Sequence, residues 1–351
     1  MSFETLGIAL IALLVFEGLI FIHEFGHYIF ARIFGVTIEE FSIGMGPKLA
    51  WYTSKKTNIT YALRAIPIGG YVAMVGESGD SEDPNSFDKK ASWQRLIITV
   101  AGAAVNIIAG FIAMSILTSM IYLYGTEVRD FYTTEESGYE ISSADSGLMV
   151  GDEIIKVNNK RVNIYDELSY QVMRYGNEPI DLTVIRNGEV IVLEDVIFPV
   201  DTSTGEEFGL LDIKPVAVDR NFGSIVRFSW EKSTLIVRMC WESLIDLIRG
   251  RYGLNAVSGP IGIGGAIGDA AKAGPLNLLY IVAMISINLG VMNLLPIPAL
   301  DGGRIIFLLI EIVSRRRLPR RLEDTINAVG LYALLGLSVL ILIKDFITAI
   351  F

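Results

Sequence analysis

The sequence has little of what a disulfide-bonded or nucleic-acid-binding protein contains. Its 351 residues include one cysteine, Cys240, and two histidines. A single cysteine forms no intramolecular disulfide, so each folded part must be held by its own apolar core. Charged residues make up 19% of the chain, and its formal net charge is −10. This charge argues against a nucleic-acid partner.

Apolar residues are abundant instead, at 52% of the chain with a mean hydropathy of +0.48. They concentrate in four blocks, at about 6–31, 96–124, 276–312 and 328–351. Each block is near or above the roughly 20 residues that a helix needs to cross a bilayer. No Lys or Arg precedes Arg32, so we expect the first block to remain as a helix rather than to be a cleaved signal peptide. The sequence therefore predicts a multi-pass α-helical membrane protein with four spans.

The basic residues predict how the spans are oriented. Residues 32–95 include eight Lys or Arg and residues 315–321 include five, so both segments are predicted to be cytoplasmic. Both termini and residues 126–222 are then extracytoplasmic. That long segment holds 20 acidic and 8 basic residues, which argues against nucleic acid or anionic lipid as its partner.

The regions between the spans have their own patterns. Short apolar runs at 37–44, 59–63 and 67–75 predict a small membrane-associated β-sheet. Residues 223–248 predict an amphipathic helix, either at the membrane surface or packed on a soluble domain. The predicted division is a membrane core at 1–125, an extracytoplasmic domain at 126–202, a connecting segment at 203–275 and a second membrane core at 276–351.

Both histidines belong to His23-Glu24-Phe25-Gly26-His27, at the end of the first apolar block. On a helix, positions i and i+4 share a face, so both imidazoles can bind one zinc ion. Glu24 can then act as a general base on a water whose pKa zinc lowers towards about 7. The alternative is a chance pattern whose histidines fill a helix interface. Three adjoining ionisable residues in a span favour the metal site, because such residues are costly there.

A catalytic zinc needs a third protein ligand and an open position for water. The sequence has no third histidine, and the carboxylate of Asp301 is the candidate. Pro296 and Pro298 break a helix just before it, and Gly302-Gly303 relieves steric limits just after it. The alternative role of Asp301 is to cap a helix that begins near Gly302.

Glu17 is the other ionisable residue deep in the first block. It precedes Glu24 by seven positions, so both side chains point to nearly the same side of a helix. Glu17 either lines a substrate path or, as we favour, is a hydrogen-bonded interior glutamate.

The His23–His27 motif and the Asn-x-x-Pro-x-Pro-x-Leu-Asp-Gly string at 293–302 together resemble the site-2 protease family of intramembrane zinc metalloproteases. The likeness covers nearly the whole chain. It is closest to the bacterial regulators of the sigma-factor stress response, which carry a PDZ domain between spans two and three. Residues 147–158 resemble part of such a domain, which binds extended peptides at a sheet edge. The resemblance thus implies an inserted PDZ-like α+β domain at 126–202.

Other strings extend this likeness. Residues 42–47 resemble the membrane-associated β-loop of the family, residues 64–72 its following strand, and residues 258–263 a further string before the third span. One departure is visible in the second span. The family usually has Ala-Gly-Pro-x-x-Asn there, whereas residues 101–106 read Ala-Gly-Ala-Ala-Val-Asn, with Ala103 in place of the proline. This departure bears on the shape of that helix and not on the metal site.

The resemblance implies a role for seven residues. These are Glu24 as the catalytic residue, His23, His27 and Asp301 as ligands of Zn2+, and Asn293, Pro296 and Pro298 as substrate-binding residues. The implied partners are the lipid bilayer and single-span membrane substrates such as anti-sigma factors or remnant signal peptides. The implied location is the cytoplasmic membrane, with the catalytic site towards the cytoplasmic side.

Two other functions compete with proteolysis. A zinc-bound scaffold that recruits partners through the PDZ-like domain would need no general base at position 24. A metal or ion transporter using His23, His27, Asp301 and Glu17 would need further polar residues along the other spans. Residues 328–343 of the fourth block contain no charged residue, which argues against transport.

Overall fold

The computed structural model describes residues 3–350 apart from 78, 134–137, 139–142, 176, 203–206 and 252–256. Its helices are α1 (Phe3–Ile33), α2 (Ser92–Met120), α3 (Tyr165–Tyr175), α4 (Phe222–Arg249), α5 (Pro260–Ala273), α6 (Pro275–Asn293), α7 (Asp301–Ser314) and α8 (Arg320–Ile350). Its strands are β1 (Ile38–Thr53), β2 (Thr60–Met74), β3 (Leu123–Phe131), β4 (Glu153–Val157), β5 (Lys160–Arg161), β6 (Ile180–Arg186), β7 (Glu189–Val196), β8 (Val200–Asp201), β9 (Phe208–Gly209) and β10 (Ile213–Val218).

The chain separates into two compact units. The core unit is formed by Met1–Met114 and Ile236–Phe351, and the inserted unit by Ser115–Leu235. Among the described residues, four helical segments are long and apolar enough to cross a membrane. They are Leu6–Ile33, Ser92–Met120, Pro275–Asn293 and Arg321–Ile347. The prediction of a multi-pass α-helical membrane protein is confirmed to that extent.

The third apolar block is not one continuous helix. Helix α6 ends at Asn293 and α7 begins at Asp301. The prolines between them remove backbone donors, and Ala299 adopts a positive φ of 73°. The returning chain approaches α7 so closely that a Cβ on Gly302 would lie 1.8 Å from the carbonyl oxygen of Leu295. Only glycine fits there, and the break brings the start of α7 close to His23 and His27 of α1.

Helix α5 was not predicted from the sequence. Its residues 260–273 are rich in glycine and alanine, which leaves little contrast between an apolar and a polar face. The start of α5 is held by the last helix, because the amide of Gly262 donates to the carboxylate of Asp345 on α8 at 3.2 Å. A side chain far along the chain thus supplies the acceptor that a capping residue usually provides.

Strands β1 and β2 confirm the predicted small sheet. Both strands bend, so each pairs with the other twice. The first part of β1, residues 38–43, pairs with residues 70–74 of β2 on one side, and its residues 40–43 pair with residues 60–63 of β2 on the other. The second part of β1, residues 48–53, pairs with residues 60–64 of β2. A buried cluster that includes Ala31, Phe41 and Ile98 anchors the sheet to α1 and α2. Segment 70–74 is therefore an edge: no other described strand pairs with it.

The inserted unit is built around a mainly antiparallel sheet with the order β10-β3-β4-β6-β7, and β5 pairs with β4. Thirteen buried apolar residues of the sheet, α3 and the connecting loops form its core. Part of the predicted 126–202 domain lies outside the described residues. The first half of α4 packs within this unit, where Phe228 contacts Leu123 and Ile164 and Lys232 pairs with Asp166. For that half, the soluble-domain alternative for the amphipathic helix is correct.

Candidate active site

Helix α1 carries His23, Glu24 and His27 in its last three turns. The imidazoles are nearly buried, at 9% exposure each. Their ring centroids lie 4.8 Å apart and the planes are close to perpendicular, at 84°. The i, i+4 spacing has therefore placed both rings on one face, as predicted.

Asp301 is the first residue of α7 and not its cap. The cap position is Leu300, and no side chain caps the helix there. The carboxylate of Asp301 faces the two imidazoles instead. The capping alternative is therefore wrong, because the side chain points across to α1 rather than back to its own backbone.

The three side chains form a small triangle of nitrogen and oxygen atoms. Asp301 Oδ2 lies 3.2 Å from His23 Nε2 and 3.3 Å from His27 Nε2, and the two nitrogens are 3.2 Å apart. Ligands that are about 2.0–2.1 Å from a tetrahedral zinc ion lie roughly 3.3 Å from one another. The triangle thus has the size that zinc requires.

The hydrogen bonds around these three side chains are also compatible with a bound cation. His27 Nδ1 lies 2.8 Å from the carbonyl oxygen of Ile98 and donates to it, which leaves Nε2 with a lone pair. Asp301 Oδ2 is buried and is not satisfied by any conventional hydrogen-bond donor in the described part of the chain. Lone pairs that converge without a donor are the usual mark of a metal centre. In the described residues, this is the only group of three or more potential ligands close enough to hold an ion.

A cavity of about 590 Å³ opens onto the triangle. Its walls include Glu24, the edge segment 71–74 of β2, and Asp301. Arg304, one turn after Asp301 on α7, also lines the cavity and donates a hydrogen bond to Glu77, just beyond β2. Glu24 is thus next to the ligands and partly open to a space that can hold water and a peptide segment. A general base needs both conditions.

Helix α2 supplies parts of the site that the sequence analysis did not assign. A Cβ on Gly102 would lie 2.4 Å from His27 Nε2 and 2.9 Å from His23 Cε1, so the absence of a side chain makes room for both rings. A Cβ on Gly26 of α1 would similarly lie 2.5 Å from the carbonyl oxygen of Ala101. The two glycines let α1 and α2 cross closely, as small residues do between membrane helices. In the sequence, the small residues of the string 101–106 are the only indication of this close crossing.

The three predicted substrate-binding residues lie in the break between α6 and α7 but not on the cavity wall. Asn293 ends α6, and none of Asn293, Pro296 and Pro298 lines the cavity described above. Pro298 packs on α8, where a Cβ on Gly330 would lie 2.4 Å from its Cβ. A direct substrate contact for these residues therefore stays a prediction.

Glu17 lies two turns before the zinc motif on α1, beside the backbone of Gly69. Both of its carboxylate oxygens are buried, and the residue does not line the catalytic cavity. This position agrees with an interior glutamate and gives no support to a role on the wall of that cavity. Neither carboxylate oxygen accepts a conventional hydrogen bond within the described residues, so the predicted hydrogen bonding stays a prediction.

Two histidines and an aspartate that could hold zinc, with a glutamate beside them, are the arrangement expected of a metallopeptidase, and they lie on helices of membrane composition. Comparison with known sequences extends this. Residues 11–337 match the model of peptidase family M50. The chain belongs to peptidase family M50, and it is an integral membrane zinc metalloprotease.

The relatives are bacterial. The chain is 34% identical to a protein of Clostridium acetobutylicum, over 98% of each chain. It is 32% identical to a protein of Clostridium perfringens, over 96% of this chain and 97% of the relative, and 32% identical to one of Fusobacterium nucleatum with the same coverage. All three are named as candidate zinc metalloproteases.

Proposed function

We propose that this metalloprotease cuts peptide bonds within or beside the membrane-spanning segments of single-span membrane proteins, such as anti-sigma factors or remnant signal peptides. One observation carries this proposal: His23, Glu24 and His27 lie inside the candidate span Leu6–Ile33. A peptide bond that reaches Glu24 must therefore approach from the bilayer or its interface. Soluble proteins seldom present backbone there.

The proposed location is the cytoplasmic membrane, with the site towards the cytoplasm and both termini outside. The two basic segments on which this topology depends meet in the structure. Arg317 of the segment 315–321 donates to the carbonyl oxygen of Asp88, in the segment 32–95, at 2.8 Å. This contact supports placing both segments on one side of the membrane, and their charge favours the cytoplasmic side.

The edge segment 70–74 is proposed to hold the substrate. A substrate helix satisfies its own amides, so the bond to be cut must first unwind and its amides need new partners. Residues 71–74 line the cavity that contains Glu24, and their outer edge is free of other described strands. Adding the unwound substrate as a further strand would satisfy its amides and bring its carbonyl to the site.

In the proposed reaction, Glu24 takes a proton from the attacking water and later gives it to the leaving amine nitrogen. A bound zinc ion supplies Lewis-acid chemistry, by lowering the pKa of water and polarising a carbonyl. His23, His27 and Asp301 hold that ion, while the backbone of Ile98 fixes the ring of His27. The closely packed glycines of α1 and α2 keep these groups in register.

The inserted unit is proposed to have a PDZ-like fold that selects substrates outside the membrane. Its antiparallel sheet, with one helix packed on a single apolar core, supports this. The excess of acidic residues over basic residues at 126–222, 20 against 8, favours basic or neutral extracytoplasmic partners over acidic ones.

The test is cleavage of a tagged single-span membrane protein in liposomes by the wild type and by Glu24→Gln. We expect the variant to lose cleavage by at least about 100-fold, since general-base catalysis contributes roughly 10²–10⁴, while it keeps its zinc. Zinc content is measured on the same samples. Equal cleavage by both proteins would remove Glu24 from the chemistry, and cleavage of soluble peptides alone would overturn the membrane substrate class.

A second variant tests the strand-addition step. Ala73→Pro removes an amide from the edge segment, and Ala73→Val changes the side chain but keeps the amide. We expect the proline variant to cleave more slowly than the valine variant, with zinc bound in both. Equal rates would contradict strand addition without affecting the metal centre.

A further inference from the structure

The Nδ1 atoms of His23 and His27, which are the ring nitrogens that do not face Asp301, contact different groups of helix α2. His27 Nδ1 contacts the carbonyl oxygen of Ile98 at 2.8 Å. His23 Nδ1 lies 3.4 Å from the side-chain nitrogen Nδ2 of Asn106. Positions 98 and 106 are about two helical turns apart, so both partners lie on the face of α2 that meets α1. Nothing in the zinc motif itself indicates what holds His23.

We propose that Asn106 is a positioning residue whose side-chain oxygen accepts a hydrogen bond from Nδ1–H of His23, which keeps His23 Nε2 free to bind zinc. A neutral imidazole carries one proton, so Nε2 has a lone pair only when the proton is on Nδ1. His23 Nε2 is the atom that meets Asp301 Oδ2 at 3.2 Å. For Nε2 to bind zinc beside Asp301, the proton must lie on Nδ1, and Nδ1 then needs an acceptor.

The two ends of the Asn106 amide have different consequences. The structure has the NH2 group of Asn106 facing His23, and a 180° flip of the amide exchanges its nitrogen and oxygen. With the NH2 group facing His23, Nδ1 would have to accept, and the imidazole proton would be on Nε2, where the metal would bind. Asn106 Oδ1 would then stay buried without a donor among the described residues, at a cost of about 1–3 kcal/mol. If the oxygen faces His23, Oδ1 gains a donor and Nε2 keeps its lone pair. The hydrogen-bond network therefore selects the oxygen.

The surroundings of Asn106 hold it in place. Its side chain is fully buried. Its backbone oxygen accepts a hydrogen bond at 2.8 Å from the hydroxyl of Ser286 on α6, which is 2% exposed. A buried bond of this kind is not weakened by competing water. Three helices thus meet at the outer side of His23, and Ser286 offers a control that disturbs the same place without touching the ring.

The experiment measures the zinc dissociation constant of the full-length protein in detergent, by competition with a chelator, for Asn106→Leu, Asn106→Asp and Ser286→Ala. Loss of an outer partner of a metal-binding histidine costs roughly 10–100-fold in affinity, and we expect that weakening for Asn106→Leu. Aspartate can only accept, so we expect Asn106→Asp to keep the wild-type affinity within about threefold. We expect no change for Ser286→Ala.

A spectroscopic measurement gives a second readout. With Co2+ in place of zinc, the visible absorption bands report the geometry of the ligands. We expect the wild type and Asn106→Asp to share one spectrum and Asn106→Leu to differ. If the leucine variant does not fold, Asn106→Ala replaces it, and thermal unfolding of the metal-free proteins checks each fold.

Several results would overturn the inference. Wild-type affinity in Asn106→Leu would show that the amide is not needed. Equal weakening in the aspartate and leucine variants would show that the amide donates rather than accepts. Weakening in Ser286→Ala as large as in Asn106→Leu would assign the effect to helix packing. The inference rests on the zinc site of the proposed function, yet a wild type that binds zinc and cuts no membrane substrate would refute only that function.

Discussion

Two buried carboxylates of the inserted unit and the carboxylate of Asp301 in the core unit have different surroundings. In the inserted unit, Asp152 is fully buried and is paired with Arg186 at 2.7 Å. Asp212, 2% exposed, accepts hydrogen bonds from the backbone and hydroxyl of Ser143. In the core unit, Asp301 Oδ2 instead faces the Nε2 atoms of two histidines, at 3.2 and 3.3 Å.

This difference separates structural polar groups from functional ones. A buried carboxylate that meets its own donors is complete when the chain folds. A carboxylate grouped with two imidazole nitrogens at the spacing of metal ligands is suited to hold a cation. The stability of the inserted unit should therefore depend on its internal ion pairs and not on zinc. The activity of the core unit should depend on zinc and not on those pairs.

The largest effect is expected from Asp301→Ala, which removes one of three ligands. We expect zinc affinity to fall by more than the roughly 100-fold upper range for outer partners, and cleavage to disappear with it. Zinc content after dialysis measures the first effect. Hydrogen exchange of the inserted unit should stay at wild-type rates. A variant that retained one zinc per chain would contradict the assignment of Asp301, and altered exchange would break the contrast between the units.

The next effect is expected from Gly102→Ala, because the added Cβ would lie 2.4 Å from His27 Nε2 and the ring must move. Misplacement of a reacting group by about 1 Å can cost roughly 100-fold in rate, and we expect a loss of that order in kcat/KM for the single-span substrate. The matched control is Gly18→Ala on α1, which has nothing within 4 Å of its added Cβ. Equal rates in the two variants would refute the need for space at position 102.

The candidate metal ligands could be predicted from the sequence because chemistry restricts such ligands to few residue types. With two histidines in the chain, His23 and His27 had no competitors, and Asp301 followed from its prolines and glycines. The membrane spans and the small sheet could also be predicted, because long apolar runs and short apolar segments are visible in the local sequence. In each of these cases the physical requirement acts on residues close in sequence.

The missed features depend on neighbours far along the chain. Gly102 is needed because two imidazoles of another helix occupy the space of a side chain, and one sequence does not show that absence. Asn106 gains its partner only when α1 and α2 cross. Helix α5 has no strong periodicity and takes its first acceptor from Asp345 of α8. Tertiary contacts, not local patterns, decide all three.

The smallest effect is expected in the inserted unit, on breaking the ion pair between Asp152 and Arg186. Burial raises the pKa of Asp152, but the hydrogen bonds from Arg186 and from the amide of Met149 outweigh it, so this pKa lies below its ordinary value. Arg186→Leu leaves the carboxylate unpaired, and breaking a buried pair costs about 3 kcal/mol. We expect roughly 100-fold faster hydrogen exchange in β6 at pH 7, with zinc content unchanged. The control Glu189→Gln changes an exposed charge and should cost less than about 0.5 kcal/mol.

The sign of the pH dependence follows from the depressed pKa of Asp152. Because the folded-state pKa is below the unfolded value of about 3.9, the pair contributes its full stability above about pH 4 and loses it as the pH falls through the folded-state pKa. The gap in exchange rate between the wild type and Arg186→Leu should therefore narrow on acidification, since a protonated carboxyl no longer needs the guanidinium. If this difference in exchange rate stayed constant from pH 7 to pH 3, Arg186 would stabilise the unit by packing alone. Asp152 would then no longer be an example of a carboxylate stabilised by its ion pair, in contrast to Asp301.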